Sequence, residues 1–130
     1  MVAEIKAGFE IERLADGKIL AYRFSDIYRT TVDAWVESIK VEYAAWQGEQ
    51  LRTMLDLRRT GGVVSIYAIN AARPLAALRP ELRGRLAIMV QSRIAAQIIG
   101  AAIRTNYNPT RRRMLFSDER MAVDWLLRSD

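Results

Sequence analysis

Arg111-Arg112-Arg113-Met114-Leu115-Phe116-Ser117, followed at once by Asp118-Glu119-Arg120-Met121-Ala122-Val123-Asp124-Trp125-Leu126-Leu127, decides the fold. The first stretch reads as an apolar strand that stops at Ser117, a helix-capping residue. The second opens with two acids, which suit the positive end of a helix dipole. It then places Met121, Ala122, Trp125 and Leu126 at i, i+1, i+4 and i+5, the spacing of one buried helix face. A strand that feeds straight into a helix marks an α/β chain.

The rest of the chain fits around that unit. Asn106-Tyr107-Asn108-Pro109 ends a preceding helix over about 93–105, capped by Ser92 and rich in alanine and isoleucine. Residues 86–90 form an apolar run suited to a buried strand. A further helix begins near Ser65; Pro74 interrupts it, because proline lacks a donor and clashes with the preceding turn, and Pro80 ends its continuation. Residues 51–57 read as a strand, followed by the turn-forming Arg58-Arg59-Thr60-Gly61-Gly62. Upstream, Val32, Trp35, Val36, Ile39, Tyr43 and Trp46 share one helix face. Thr30 with Asp33 resembles a capping arrangement, and Gly48 supplies the stop. Residues 9–14 and 18–24 are strands joined through Ala15-Asp16-Gly17, a hairpin signal because such turns need positive φ.

The resulting order is β-β-α-β-α-β-α-β-α in a single domain over 1–130. Strands joined through helices run parallel with right-handed crossovers. The expectation is an α/β fold with four helices and a mixed, mostly parallel five-stranded sheet, centred on 51–57.

Composition removes whole classes of chemistry. The 130 residues include no cysteine and no histidine. Thiol nucleophiles, disulfides and thiolate metal sites are excluded, and the commonest general base and metal ligand is missing. No acidic cluster is spaced to hold a metal by carboxylates alone, so the expectation is no metal and no cofactor. The N-terminal residues 1–6 carry acids and no long apolar run, unlike a signal peptide. The most apolar window, 94–103, falls far short of the ~20 residues that span a bilayer. A cytoplasmic protein with no membrane span is expected. The formal charge of +5 comes mainly from arginine, which favours anionic partners or simply a solvated surface.

The element order, Leu55-Asp56-Leu57 closing a strand, and the ending Met114-Leu115-Phe116…Ala122…Trp125-Leu126 together resemble the STAS-like superfamily. Its best-known members are bacterial anti-sigma-factor antagonists, and the ending looks like small stand-alone members grouped with lipid-binding SEC14-like domains. The resemblance implies a non-catalytic regulatory domain that binds another protein or itself. In the antagonists, a phosphorylatable serine lies about nine positions beyond the strand-ending acid or amide, within an Asp-Ser-Ser/Thr-Gly motif. Counting from Asp56 reaches Ser65. Its neighbours depart from the motif: Val64, Ile66 and Tyr67 stand where an acid, a hydroxyl and a glycine belong. A plain helix N-cap is the structural alternative for Ser65.

The candidate anion or partner site is Arg58, Arg59, Thr60, Gly61, Gly62 and Ser65. It follows the C-terminal end of the central strand, where open α/β sheets place ligands and glycines expose backbone donors. Two solvated arginines could add bidentate contacts to a phosphate or carboxylate; an ordinary surface turn is the alternative. No Gly-Lys-Ser/Thr or dinucleotide pattern is present. Arg111, Arg112 and Arg113 cannot share one patch, because alternate strand residues face opposite ways; charged edge residues discourage aggregation, and no nucleic-acid partner is expected. Trp35, Trp46 and Trp125 read as core. Asp56 could act as an acid at a strand end, but Asp26, Asp33, Glu37 and Asp56 include no pair with catalytic spacing.

Two functions from different classes follow. The first is a regulatory protein-interaction domain using the loop after Leu57. The second is a module for a small apolar or anionic ligand or a lipid, with the helices around 66–78 and 94–103 lining a pocket. An enzyme lacking histidine and cysteine would need recognisable companions among its remaining polar residues.

Overall fold

The computed structural model describes residues 4–6, 8–63 and 65–128. Val64, and residues 1–3 of the N-terminal segment considered above, lie outside them. Six strands form one sheet: β1 (Glu4–Lys6), β2 (Phe9–Leu14), β3 (Ile19–Phe24), β4 (Gln50–Asp56), β5 (Arg83–Met89) and β6 (Arg111–Phe116). Among the described residues four helices connect or follow them: α1 (Arg29–Ala44), α2 (Ile66–Ala72), α3 (Arg93–Thr105) and α4 (Glu119–Leu127). The five expected strands and four helices occur in the expected order, with β1 as an additional three-residue edge. The spatial order is β1-β2-β3-β4-β5-β6. The β1–β2 and β2–β3 pairs are antiparallel, and every later pair is parallel. Among the strands from β2 onward, β4 is central.

Strand order that follows chain order has a geometric consequence. Three right-handed crossovers advancing in one direction put α1, α2 and α3 on the same side of the sheet. Only α4, after the last strand, is left to cover the other side. The side chains alternate accordingly. Leu20, Tyr22, Leu51 and Leu55 face α1, where Val32, Trp35, Ile39 and Tyr43 complete one core. Ile19, Ala21, Met54, Ala87 and Met89 face α4 and meet Ala122, Trp125 and Leu126. Arg52 and Arg85 anchor that helix by donating to the backbone carbonyls of Leu126 (2.8 Å) and Trp125 (2.5 Å).

Several local expectations are corrected. Helix α4 is capped by Asp118, whose Oδ1 accepts from the Arg120 backbone N–H, not by Ser117. Met121 is 61% exposed and Leu127 36% exposed, so neither belongs to the buried face. Helix α1 starts at Arg29 without a side-chain cap from Thr30; instead Asp26 accepts from the Tyr28 N–H and the Thr31 hydroxyl. The hairpin turn holds three successive left-handed residues, Ala15, Asp16 and Gly17, closed by Lys18 N–H donating to the Ala15 carbonyl. Pro74 does interrupt its helix: α2 ends at Ala72, and a 3-10 turn runs from Arg73 to Ala77.

Candidate functional site

The loop after β4 lies where the sequence placed it, and Thr60, Gly61 and Gly62 border a crevice of about 310 Å³ against Val90, Gln91 and Ser92 of the next strand-to-helix connection. Gly61 and Gly62 have φ of 73° and 76°. A Cβ on Gly62 would sit 2.9 Å from the Ser92 Cβ, so only glycine lets the two loops approach this closely. The Thr60 hydroxyl donates to the Leu57 carbonyl at 2.9 Å. Ser65 caps α2, its Oγ accepting from the Ala68 N–H at 3.0 Å.

Arg58 departs from the expected solvated role. It turns back onto Asp56, with Nε to Oδ1 and Nη2 to Oδ2 both at 2.9 Å, and reaches Glu119 at 3.1 Å. Asp56 is 3% exposed. It also accepts from Arg23 at 2.9 Å and from the Arg58 backbone N–H at 3.1 Å. Arg23 continues the network to Glu119 at 2.8 Å and to Glu12 at 3.2 Å. Two guanidiniums thus sit among three carboxylates drawn from β2, β3, β4, the following loop and the first turn of α4. Burial pushes the Asp56 carboxyl up, but the hydrogen bonds from Arg58 and Arg23 outweigh it and hold the group below its ordinary value. The hydrogen bond from Arg23 likewise holds Glu119 down. Asp56, without an evident partner in the sequence, is a structural anion rather than an exposed acid. Of the two loop arginines, Arg59 alone is exposed.

This division predicts unequal effects. Arg58→Ala is expected to cost about 1.5–3 kcal/mol, the worth of a hydrogen bond to a charged group, whereas Arg59→Ala should stay within about 0.5 kcal/mol of wild type. Urea denaturation of the two variants checks this; equal stabilities would place Arg58 in solvent.

A second concavity lies on the α1–α3 side of the sheet. A cavity of about 150 Å³ is lined by apolar side chains of α1, α2, the 3-10 turn, α3 and the central strands, among them Trp35, Ile39, Leu55, Leu75, Ile99 and Ile103. The two helical stretches expected to wall a pocket do so through Ile69, Ala72, Leu75, Ile99, Ala102 and Ile103. Their outermost members, Ile66 and Ile94, point outward at 65% and 67% exposure. Arg111, Arg112 and Arg113 also line this cavity. On the edge strand β6, Arg111 and Arg113 stand opposite Gly84 and Leu86 in register and so share the helix-covered face, while Arg112 alternates away. Arg111 is buried, donating from Nε to the Leu82 carbonyl at 3.1 Å and from Nη2 to the carbonyls of Leu78 and Arg79. It serves as an interior clamp, a role that edge protection did not anticipate. Trp35 and Trp125 are buried and Trp46 half-buried. No helix among the described residues is long and apolar enough to cross a membrane.

No protein-family model matches the sequence, and neither does any curated protein. Among solved structures, the chain is similar to an uncharacterized protein of the DUF3478 family from Shewanella loihica PV-4, which has a SpoIIAA-like fold. The two are 20% identical, the match covers 97% of this chain and 96% of that one, and the TM-score is 0.65. Such a likeness speaks for the fold. The chain therefore has a SpoIIAA-like fold.

Proposed function

We propose that this domain is a non-catalytic regulatory module whose ligand is a small apolar molecule held beneath α2 and α3. The observation that carries the reading is the cavity of about 150 Å³ between the larger core, α2 and α3. Its lining is mainly apolar, and it opens partly to solvent. Apolar surface left against water is unfavourable by roughly 25 cal/mol per Å². A ligand that fills the space removes that surface from water. The volume is on the scale of cavities that accept benzene, so the occupant is a ring or a short branched chain rather than a long acyl tail. Helix α2 contributes no fully buried residue, which makes it the wall most easily adjusted to an occupant. The non-catalytic character is supported by the carboxylates beside the loop crevice, which are committed to Arg23 and Arg58.

Native mass spectrometry of freshly purified protein tests this. Wild type should carry a small adduct or take up benzene-sized probes. Ala102→Phe, which fills the cavity from α3, should take up none and melt at a higher temperature. A wild type that takes up nothing, with a filled variant no more stable, would overturn the reading.

A second reading, recognition of a protein partner by the loop after Leu57, rests on a different observation. Val63, Ile66 and Ile94 are 59–67% exposed on the loop and the helices beside the crevice that Gly61 and Gly62 border. Such side chains are candidate anchors for a partner. Under this reading, Ile66→Ser abolishes capture of a partner without changing the occupancy of the cavity.

A further inference from the structure

The polar groups around the cavity are sorted by charge. Arg73, Arg111 and Arg113 line it from its own side of the sheet, whereas Arg85 and Arg112 belong to strand positions of the opposite face, and among the described residues no aspartate or glutamate lines it. Trp35 lines it as well, 4% exposed, and its indole N–H is a buried donor with no partner among the described residues. The Tyr43 hydroxyl is already bonded to Thr53 at 2.7 Å. Asn106 spends its side-chain N–H₂ on the Ala102 carbonyl at 3.0 Å.

The arginines are not equivalent. Arg111 is committed to three carbonyls of the segment before β5. Arg113, on the same face of β6, donates from Nη2 to the Asn106 carbonyl, and among the described residues no carboxylate pairs with it. Burial alone pushes its guanidinium below the ordinary arginine range. A half-buried cation facing an apolar cavity without a counter-anion is unfavourable as it stands. A planar guanidinium with donors to spare matches a carboxylate in two parallel hydrogen bonds.

We infer that the ligand of this cavity is a small monocarboxylate, its apolar body among Trp35, Leu55 and Ile99 and its carboxylate on Arg113. This rests on the apolar-ligand reading above and adds the charge of the ligand to it. Specificity would come from the cation, because an apolar wall alone distinguishes poorly between ligands of equal size.

The test uses three probes of one shape: benzoate, benzyl alcohol and benzylamine, titrated into the full chain by calorimetry and by NMR of the Trp35 indole N–H. Benzoate should bind at least tenfold more tightly than benzyl alcohol, benzylamine should not bind, and the Trp35 signal should move on benzoate binding. Arg113→Met should reduce benzoate to the level of benzyl alcohol while leaving benzyl alcohol unchanged, which also reports that the variant is folded. Arg113→Lys should restore part of the preference. If benzyl alcohol binds wild type as tightly as benzoate, or Arg113→Met keeps the preference, the carboxylate assignment is overturned and the apolar cavity reading stands. If no probe binds and the Trp35 signal does not move, both fall together.

Discussion

A chain ending at Val123 is expected to lose its cooperative melt and to bind hydrophobic dye. The missing residues include Trp125 and Leu126, 5% and 0% exposed, each worth about 1.5–3 kcal/mol of burial. Their loss also uncovers Ile19, Met54 and Met89, all 0% exposed in the intact domain. Arg52 and Arg85 lose the carbonyls they bond in α4. The sum is comparable to the whole stability of an ordinary domain. Leu127→Ala serves as the control: at 36% exposure it should change little. Calorimetry and dye fluorescence read both variants, and a truncated chain that melts like the intact one would make α4 peripheral.

The second large effect is expected at Asp56. Asp56→Asn keeps the shape of the side chain but leaves Arg23 and Arg58, whose side chains are 11% and 26% exposed, without their central anion. Each charge-assisted hydrogen bond lost costs about 1.5–3 kcal/mol, and two guanidiniums lose theirs at once, although Glu119 still pairs with both and Glu12 with Arg23. Urea denaturation at pH 7 measures it, and a loss below about 1 kcal/mol would reduce the network to surface decoration. The sign of the pH dependence follows from the same geometry. The Asp56 and Glu119 carboxyls lie below their ordinary values when folded. Their contribution is therefore complete above the ordinary carboxylate range of about pH 4 and disappears as pH falls through the lowered folded values. Wild type should lose stability on acidification below that range, and Asp56→Asn should show a shallower loss, with the Glu119 part remaining.

What was legible in the sequence was mostly local. Ser92 and Ser65 each stand one residue before a helix and cap it. Pro74 interrupts because the obstruction is built into the residue. The apolar run 86–90 falls largely in β5, where Ala87, Ile88 and Met89 are buried as a strand covered on both faces requires. The ionic network escaped because it is assembled by topology: Arg23 meets Asp56 across 33 positions and Glu119 across 96. In a linear reading Arg58 follows Asp56 by two and looks like a loop cation, while Glu119 looks like a favourable helix start. Neither description is false; each omits the partner. Met121 was misplaced for a narrower reason. An i, i+1, i+4, i+5 pattern defines a stripe, but its edge residue falls inside or outside the contact according to the angle at which the helix lies. Of the candidate residues, the loop and its glycines were legible as a turn after β4, while the return of Arg58 onto Asp56 was not. The apolar cavity was anticipated only as helices with apolar faces, since the volume between them depends on how three helices sit on one sheet.

The one-sided arrangement of α1, α2 and α3 carries a consequence for biosynthesis. As the ribosome delivers the chain from its N-terminus, each new strand can add to the edge of the one before, and each crossover helix arrives in time to shield its own side. The other side gains its cover only when α4 has been made, after every strand is complete. Until then Ile19, Ala21, Met54, Ala87 and Met89 lie on an open apolar sheet, the kind of surface on which nascent chains aggregate or recruit chaperones. Nascent chains stalled with Phe116 just clear of the ribosome and α4 still inside it should therefore engage chaperones more strongly than chains held, by a C-terminal extension, with Leu127 well clear.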